Sequence, residues 1–441
     1  MDSYHLAVAT SRQARLASAV AMFLLVAAAR AFGADVPLTL AGAQRLAVER
    51  SRALVAQQAA VASARDMAVA AGQLPDPVAT MGVNNMPVNG PDAFTLTRDF
   101  MTMTSIGVMQ EFTRQEKRDA RAARFEREAD QVLAEKNASV ASIQRDVSLA
   151  WLDRFYAEAM LAAVADQIRQ ARAEVDAAET AYRAGRGNLP DVLTARSALI
   201  ALDDRASELG RRARAARITL ARWVGDAADQ PPADKPDMGA IRLDPRDLDA
   251  EVAHHPQMAV LASKEAVAAA EVRTAEANKK PDWSLALMYS QRGSAYSNLV
   301  SINVSVPLQW DQANRQDREL AAKLKLLDQA RAEREDMLRS HAAEMRAMIA
   351  EWENDRERNI RYARELLPLA NERTQATLAA YRGGKASLTD VLLARRNEID
   401  VRLQALQLEA DTARLWAQLN FQLPDGDAAH PATHSLAEGR R

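Results

Sequence analysis

Apolar positions recur every three or four residues near the end of a long stretch without glycine or proline, which extends from Val108 to Ala184. This spacing gathers the apolar side chains on one stripe of a helix, which then needs a partner helix at coiled-coil geometry. The stretch predicts one long helix over about 113–184. Its C-terminal seam, spaced alternately by three and four positions, consists of Leu161, Val164, Ile168, Ala171, Val175, Ala178 and Tyr182.

The end of this helix belongs to a segment that occurs twice. Residues 181–196 and 380–395 share one pattern at a constant offset of 199 residues. Each copy predicts a helix, a tight turn and a new helix, and Gly185 or Gly384 supplies the left-handed residue that such a turn requires. Two copies at a fixed offset indicate a duplicated architecture, with a second long helix over about 312–383 that Pro368 should kink.

The helix after each turn begins with a residue that can cap it. Asn188 and Ser387 stand at the two cap positions, and Asp191 and Asp390 follow in the first turn, near the positive end of the helix dipole. Each segment is therefore predicted to be the tip of a helical hairpin. The tips cover about 185–190 and about 384–389.

Between the helices of each half, the pattern changes to an alternation typical of strands. The predicted strands are about 77–87, 104–112, 283–291 and 299–308. A sheet with one apolar and one small polar face fits either a soluble sheet or a transmembrane barrel, in which strands have about 9–11 residues. Four strands cannot close around a water-filled lumen, although several chains together could. The residues predicted to face a membrane are Trp283, Leu285, Leu287, Tyr289, Ile302, Val304 and Val306.

The remaining segments complete two repeats in a mainly α fold with a small β part. Shorter helices precede each pair of strands and follow each tip, and Leu38–Gly72 and Asp247–Asn278 are each predicted as one helix. The domain boundaries that follow are about 35–237 for repeat 1, 238–423 for repeat 2 and 424–441 for a polar, disordered tail.

Composition narrows the class of protein. The chain has 441 residues, a formal net charge of −2 and no cysteine. Only 5% of its residues are aromatic, while alanine, leucine, glutamate and arginine dominate, which is a composition typical of long helices. The near-neutral charge gives no reason to expect nucleic acid as a partner. Residues 1–34 predict a cleaved secretory signal peptide, because Arg12 and Arg15 precede the apolar run Leu16–Ala29. A membrane anchor is the alternative, but that run is short for a span of about 20 residues.

No motif of catalysis or metal binding occurs in the sequence. It lacks a phosphate-binding glycine loop, a nucleophile elbow and a helical His-Glu-x-x-His motif. We therefore expect no enzymatic activity, no cofactor and no metal site. His254 and His255 are adjacent, so they do not share a helix face and are poor candidates for joint chelation.

Several features together resemble the TolC-like outer-membrane efflux factors. These features are the duplicated Tyr-x-x-Gly…Asp-Val-Leu-x-Ala tips, Pro75-Asp76 and Pro281-Asp282 before strands, and the strand end Val304–Leu308. The likeness extends over about Leu38–Leu423. It implies a homotrimer in the outer membrane of a Gram-negative bacterium, with a large periplasmic portion. Three chains would form an α-helical barrel joined to a twelve-stranded β-barrel in contact with outer-membrane lipid. The chain has no cysteine for a lipid anchor.

The resemblance also implies partners and a cargo. A periplasmic adaptor, or membrane fusion protein, would dock on the tips, and an inner-membrane resistance–nodulation–division pump would supply the energy. Gly72–Pro77 and Met101–Phe112 resemble the branch of the family that serves heavy-metal pumps, which implies passive export of heavy-metal cations. The alternatives are a type I secretion or drug-efflux outlet of the same fold, or a soluble periplasmic coiled-coil scaffold.

The resemblance assigns roles to residues of the tips. Asp390, with Asp191 as its counterpart in the first repeat, matches an acidic ring that narrows the periplasmic entrance, and stabilisation of the helix start is the alternative role. The family's further acid is Leu393 here, and Thr194 in the first repeat. The residues assigned to adaptor docking are Tyr182, Gly185, Leu189, Asp191, Val192, Leu193, Tyr381, Gly384, Leu388, Asp390, Val391 and Leu392.

Overall fold

The computed structural model of the chain describes residues 37–421. The predicted signal peptide, 1–34, and the predicted tail, 424–441, lie outside the described residues. Within 37–421 the fold is mainly helical and contains one small sheet, which confirms the predicted class.

Long helices dominate both repeats. Those of the first repeat are α1 (Leu40–Arg50), α2 (Arg52–Ala71), α3 (Gln115–Arg183) and α4 (Leu189–Val224), followed by a 3-10 helix at Gly225–Asp229. Those of the second are α5 (Leu248–Ala253), α6 (Pro256–Asn278), α7 (Gln316–Arg361), α8 (Leu367–Arg382) and α9 (Leu388–Asn420). The 69 residues of α3 form one continuous helix, as the periodicity of the sequence predicts.

The prediction of a single helix over Leu38–Gly72 is wrong, because the helix is interrupted at Ser51. Ser51 has an extended backbone, with φ −68° and ψ 107°, and its hydroxyl accepts the N–H of Leu54 at 3.4 Å. Serine offers the backbone this local alternative to a helical hydrogen bond. Leu38 itself pairs with the segment after α4, donating its N–H to Pro231 O at 2.8 Å.

The predicted helix over Asp247–Asn278 is also divided. Its second part starts at Pro256, and His255 before it is extended, with ψ 141°. Proline disfavours the helical conformation in the preceding residue, and it fits the first turn of a new helix. The His255 ring caps this helix by accepting the N–H of Gln257 at 3.3 Å.

The irregularity predicted at Pro368 takes the form of a π turn. Tyr362–Leu366 is π-helical, and the N–H of Leu367 donates to Tyr362 O, five residues back. Proline has no N–H, and its ring collides with the carbonyl of the residue four positions earlier in a regular helix. The wider turn lets the helical path continue into α8.

One antiparallel sheet contains all four strands in the order β1-β2-β3-β4. They are β1 (Val78–Asn84), β2 (Met103–Phe112), β3 (Trp283–Gln291) and β4 (Leu299–Ser305). The last strand was predicted to reach 308, but Val306 lies outside it. Pro307 cannot donate to a ladder, and Ser305 already pairs with Ser284, next to the first residue of β3, so β3 offers no further ladder beyond this point.

The described residues form two compact units that do not coincide with the sequence repeats. The strand unit comprises 51–143, 241–351 and 419–421, and the tip unit comprises 37–50, 144–240 and 352–418. Each repeat contributes to both units. All four strands fall in the strand unit, and both hairpin tips fall in the tip unit.

The tip unit has a core of large side chains. Trp151, Leu152 and Leu220 are fully buried there. The Trp151 indole donates to Leu38 O at 2.8 Å, so this large side chain also satisfies its polar atom. The core thereby fixes the start of the described chain against α3.

Candidate functional site: hairpin tips and the apolar face of the sheet

The first tip lies between α3 and α4. Gly185 has a φ of 69°, and the N–H of Arg186 donates to Ala181 O at 2.9 Å across the turn. The side-chain oxygen of Asn188 accepts the N–H of Asp191 at 2.8 Å. The predicted left-handed glycine and the predicted cap are therefore confirmed.

The second tip, between α8 and α9, has a reciprocal cap. Gly384 has a φ of 68°. Asp390 Oδ2 accepts both the N–H and the hydroxyl of Ser387, at 2.9 and 2.7 Å, while Ser387 Oγ accepts the N–H of Asp390 at 3.2 Å. These bonds, first from the hydroxyl and then from the backbone, lower the pKa of Asp390. Asp390 therefore stays ionised as it caps α9, whereas Asp191 contributes its N–H to the cap formed by Asn188.

An apolar cluster contains side chains from both repeats. Its buried members are Val175, Ala178, Val192, Ala195 and Leu388, and Leu199, Tyr381 and Leu392 pack against it while partly buried. Val192, Leu388 and Val391 were predicted to contact an adaptor, but they are only 4%, 5% and 1% exposed. We correct that assignment, since these three side chains stabilise the tips from inside.

Other apolar side chains at the tips remain open to solvent. Tyr182, Leu189 and Leu193 are 46%, 47% and 55% exposed. Leu393, which sequence reasoning did not place among the docking residues, is 59% exposed. Its position could have been predicted from the sequence, because residues two positions apart in a helix point about 200° away from each other. Leu393 therefore points away from the side on which Val391 is buried. Gly185 and Gly384 also face open space.

Ion pairs join the helices of the tip unit. Glu174 of α3 and Arg395 of α9 lie 3.2 Å apart, with each side chain 15% exposed. Burial raises the pKa of Glu174, and the guanidinium of Arg395 acts against that rise. Glu179, further along α3, binds Arg196 of α4 at 2.5 Å at the surface. Salt and solvent screen the exposed pair far more than the buried one.

A groove of about 680 Å3 lies between α3, α4 and α9 in the tip unit. Exposed Leu193 and Leu393 line it beside Arg395 and Arg396. The groove thus combines exposed apolar side chains with Arg396 and the Glu174–Arg395 ion pair.

The apolar residues of the four strands fall on one face of the sheet. The register pairs Ile106 of β2 with Met81 of β1 and with Tyr289 of β3. It also places Leu287 opposite both Val108 and Ile302. Because side chains alternate between faces, these pairs form a continuous apolar surface across all four strands.

Most of the residues predicted to face a membrane are exposed on this chain. Leu285 is partly buried, and the exposed fractions of the others are 40% for Trp283, 53% for Leu287, 45% for Tyr289, 69% for Ile302, 65% for Val304 and 46% for Val306. Val306 follows the end of β4, and the others lie in β3 or β4.

The opposite face of the sheet carries small and polar side chains. The hydroxyls of Ser105 and Ser290 lie 2.7 Å apart across β2 and β3, and the Asn84 amide donates to Ser105 Oγ at 2.9 Å. Gly107 leaves no room for a side chain, since an added Cβ would approach Leu287 O to 2.8 Å. This face therefore carries mainly small and polar side chains, although Met109 and Met288 also lie on it.

The edge of the sheet next to the helices is fixed by the second Pro-Asp pair. Asp282 accepts the N–H of Arg114 at 3.0 Å and binds Lys117 at 2.7 Å. Burial raises the pKa of Asp282, but the bonds from Lys117 and the Arg114 backbone outweigh it, so the pKa is lowered. Beside this pair, Phe112 and Trp283 stack with ring centroids 4.3 Å apart.

The structure separates the two adjacent histidines. His255 is buried against His341, with ring centroids 4.5 Å apart, while His254 is exposed. Among residues 37–421 there is no group of three or more histidine, cysteine or acidic residues placed to hold a metal ion. Within the same residues, no helix has the length and apolarity to cross a membrane.

Comparisons with known proteins agree with this geometry. Residues 248–423 match the family described as outer membrane efflux protein. None of the curated proteins compared with the chain matches it. Three solved structures are similar along most of the chain, and at their low identities the likeness establishes the fold alone.

The outer-membrane channel OprN has 18% identity and a TM-score of 0.72, over 88% of this chain and 90% of that chain. The outer membrane protein VceC from Vibrio cholerae has 17% identity and a TM-score of 0.70, over 87% and 96%. CusC has 16% identity and a TM-score of 0.73, over 88% and 92%. The chain therefore has the fold of these outer-membrane channels, and its residues 248–423, which include the second tip and the second pair of strands, match the family described as outer membrane efflux protein.

Proposed function

We propose that three copies of this chain form the outer-membrane channel of a tripartite efflux system. The observation that carries the proposal is the amphipathic sheet with two open edges. β1 and β4 are its outer strands, so each has one edge without a partner in the described chain. A hydrocarbon environment tolerates strands only in a closed barrel, because unpaired backbone groups cannot be hydrated there. Three copies of the four-stranded sheet would supply twelve strands.

The two faces of the sheet suit the two sides of such a barrel. Ile302 and Val304 are about two-thirds exposed on the single chain, which is a costly arrangement in water. Lipid would cover this face. The opposite face, with Ser105, Ser290 and Asn84, would line an aqueous lumen.

In this proposal the channel catalyses no reaction and transports its substrate passively. The family that residues 248–423 match is one of outer membrane efflux proteins, and in our proposal the chain is likewise a channel and not an enzyme. In our proposal it lies in the outer membrane of a Gram-negative bacterium, with a large helical portion in the periplasm. An inner-membrane resistance–nodulation–division pump supplies the energy. Without cysteine, the chain has no thiol for a lipid anchor.

The periplasmic adaptor, in this proposal, docks on the tip unit. The exposed side chains of Tyr182, Leu189, Leu193 and Leu393 offer an apolar surface, and the groove between α3, α4 and α9 continues it. Buried Val192, Leu388 and Val391 would act indirectly, by holding the two tips in place.

The entrance constriction is proposed to involve Asp390, with Asp191 in the first repeat. Three copies would bring three Asp390 carboxylates to one opening, and the caps from Ser387 keep each of them ionised. A ring of like charges favours cations over anions at an entrance. Capping of α9 and a role at the entrance are compatible, because Ser387 engages only one carboxylate oxygen.

Heat-dependent electrophoresis tests the trimeric barrel. We expect the protein in the outer-membrane fraction, with an unheated band near three times the mass of one chain that collapses to one chain on heating. Closed barrels resist detergent until heat breaks the continuous ladder of backbone hydrogen bonds. A soluble periplasmic monomer would refute the channel and support a coiled-coil scaffold instead.

For the cargo we propose heavy-metal cations, on the strength of the segments Gly72–Pro77 and Met101–Phe112. Deleting the gene should lower the tolerated concentration of cobalt, zinc, cadmium or copper ions and leave the tolerance of organic drugs unchanged. The intact gene should restore growth in metal. Loss of drug tolerance alone would indicate a drug outlet, and loss of a secreted polypeptide alone would indicate type I secretion.

A further inference from the structure

The polar face of the sheet carries methionine side chains in its two central strands. Ser105 and Ser290 define this face, because their hydroxyls meet across β2 and β3. Side chains on one face recur at every second residue, so the members of this face can be read from the register. Every long apolar side chain that β2 and β3 place on it is a methionine, namely Met103, Met109 and Met288.

Met109 and Met288 are diagonal neighbours in the ladder between β2 and β3. The register pairs Met109 with Ala286, and it pairs Met288 with Gly107. Diagonal residues of an antiparallel pair lie about 7–8 Å apart, which is within the reach of long side chains. The other diagonal of the same four residues holds only glycine and alanine. The two thioethers therefore have room to approach each other on the polar face.

Donor groups of a harder kind surround the two thioethers. Met109 is 36% exposed and Met288 is half-buried. The register places Thr80 of β1 opposite Gly107 and Ser301 of β4 opposite Met288, and both side chains carry a hydroxyl. Glu111 follows Met109 by two residues on the same face and adds a negative charge. This part of the face thus combines two soft sulfur ligands with oxygen atoms and a charge that attracts cations.

Apolar packing alone does not explain these methionines. Methionine commonly fills irregular gaps in an apolar core. The rest of the polar face on β2 and β3 consists of serine, glycine, alanine and glutamate, which do not form such a core. The apolar face of the same two strands carries valine, leucine, isoleucine and aromatic residues, and it has no methionine. The two faces therefore differ in the kind of long apolar residue that they carry.

We propose that Met109 and Met288 form a binding site for a soft monovalent metal cation, Cu(I) or Ag(I), on the lumen side of the sheet. The inference rests on the proposed function and names the class of its heavy-metal cargo. Thioether sulfur selects soft cations of this kind over harder divalent ones. Two neutral thioethers hold the ion weakly, which suits a conduit, because conduction requires that the ion leave each site again. Met103 supplies a further thioether along β2.

Silver binding to the purified protein tests the site, because Ag(I) shares the soft character of Cu(I) and stays monovalent in air. The double variant Met109→Leu with Met288→Leu removes both sulfur atoms and nearly conserves the side-chain volume. The matched control is Met81→Leu. Met81 is 82% exposed and pairs with Ile106 on the apolar face, so the control loses a methionine of the same sheet outside the site. Calorimetric titration with silver nitrate measures the number of ions bound, and X-ray absorption detects silver–sulfur bonds.

We expect the double variant to bind one silver ion per chain fewer than the unaltered protein and to lose the corresponding silver–sulfur bonds. The Met81→Leu variant should bind as much silver as the unaltered protein, and all three proteins should form the heat-sensitive trimer. If the trimer forms but the double variant binds as much silver as the unaltered protein, the site is refuted and the channel stands. If the unaltered protein forms no trimer in the outer membrane, the channel is refuted, whereas a loss of silver from the double variant would still establish the site.

Discussion

Replacing Ile302 with arginine should prevent assembly of a stable trimer in the membrane. Ile302 is 69% exposed near the middle of β4, on the face that we assign to lipid. An arginine at the lipid-facing midplane of a barrel costs about 2–4 kcal/mol, and every copy in the trimer would bear that cost. The measurement is the amount of heat-sensitive trimer in the outer-membrane fraction, compared with the unaltered protein.

The matched control is Asn303→Arg, one residue further along the same strand. Asn303 pairs with Ala286, so its side chain belongs to the opposite, polar face. In a wet lumen the added charge remains hydrated, and we expect the trimer to persist. Equal yields of trimer from both variants would show that the apolar face does not contact lipid.

Gly384→Pro should abolish efflux while the protein still reaches the outer membrane as a trimer. Gly384 has a φ of 68°, whereas proline requires about −65°. The N–H of Gly384 donates to Tyr381 O at 3.0 Å, and proline has no N–H to replace it. The turn would have to rearrange, and the exposed surface of the second tip would change with it. All four strands belong to the other unit, so barrel formation should continue.

Gly383→Ala provides the control for this prediction. Gly383 has a φ of −85°, and an added Cβ would lie 3.5 Å from its nearest neighbour, which is an ordinary contact. Resistance to the exported substrate should therefore be retained. The same test applies to the first tip through Gly185→Pro, since Gly185 has a φ of 69°. Full resistance in both proline variants would refute a role of the tips in docking.

Local features could be predicted from the sequence because they depend on residues that are close together in the chain. The long helix α3 follows from its periodicity and its lack of glycine and proline. The turns at Gly185 and Gly384 follow from the need for a left-handed residue, and the caps follow from Asn188 and Ser387. These are interactions over three to six positions, which a single sequence displays directly.

Two interruptions were missed although their causes are also local. Ser51 divides the first predicted helix and Pro256 begins a new one, yet a serine inside a helix and a proline near a helix start are both compatible with continuation. Whether the chain breaks there depends on what the flanking segments contact. Leu38, for example, is held by Pro231, almost two hundred residues away along the chain.

The amino-acid sequence by itself determined the repeat, the helical tips and the alternation that makes one sheet face apolar. Only the tertiary structure decided which apolar residues are exposed to solvent. Val391 and Leu393 are two positions apart, yet Val391 is 1% exposed and Leu393 is 59% exposed. Likewise, the pairing of β2 with β3 joins the two repeats into one sheet and brings Phe112 onto Trp283. Burial and strand pairing depend on contacts between segments that are distant in the chain. The periodicity of one segment does not indicate which other segment it will contact.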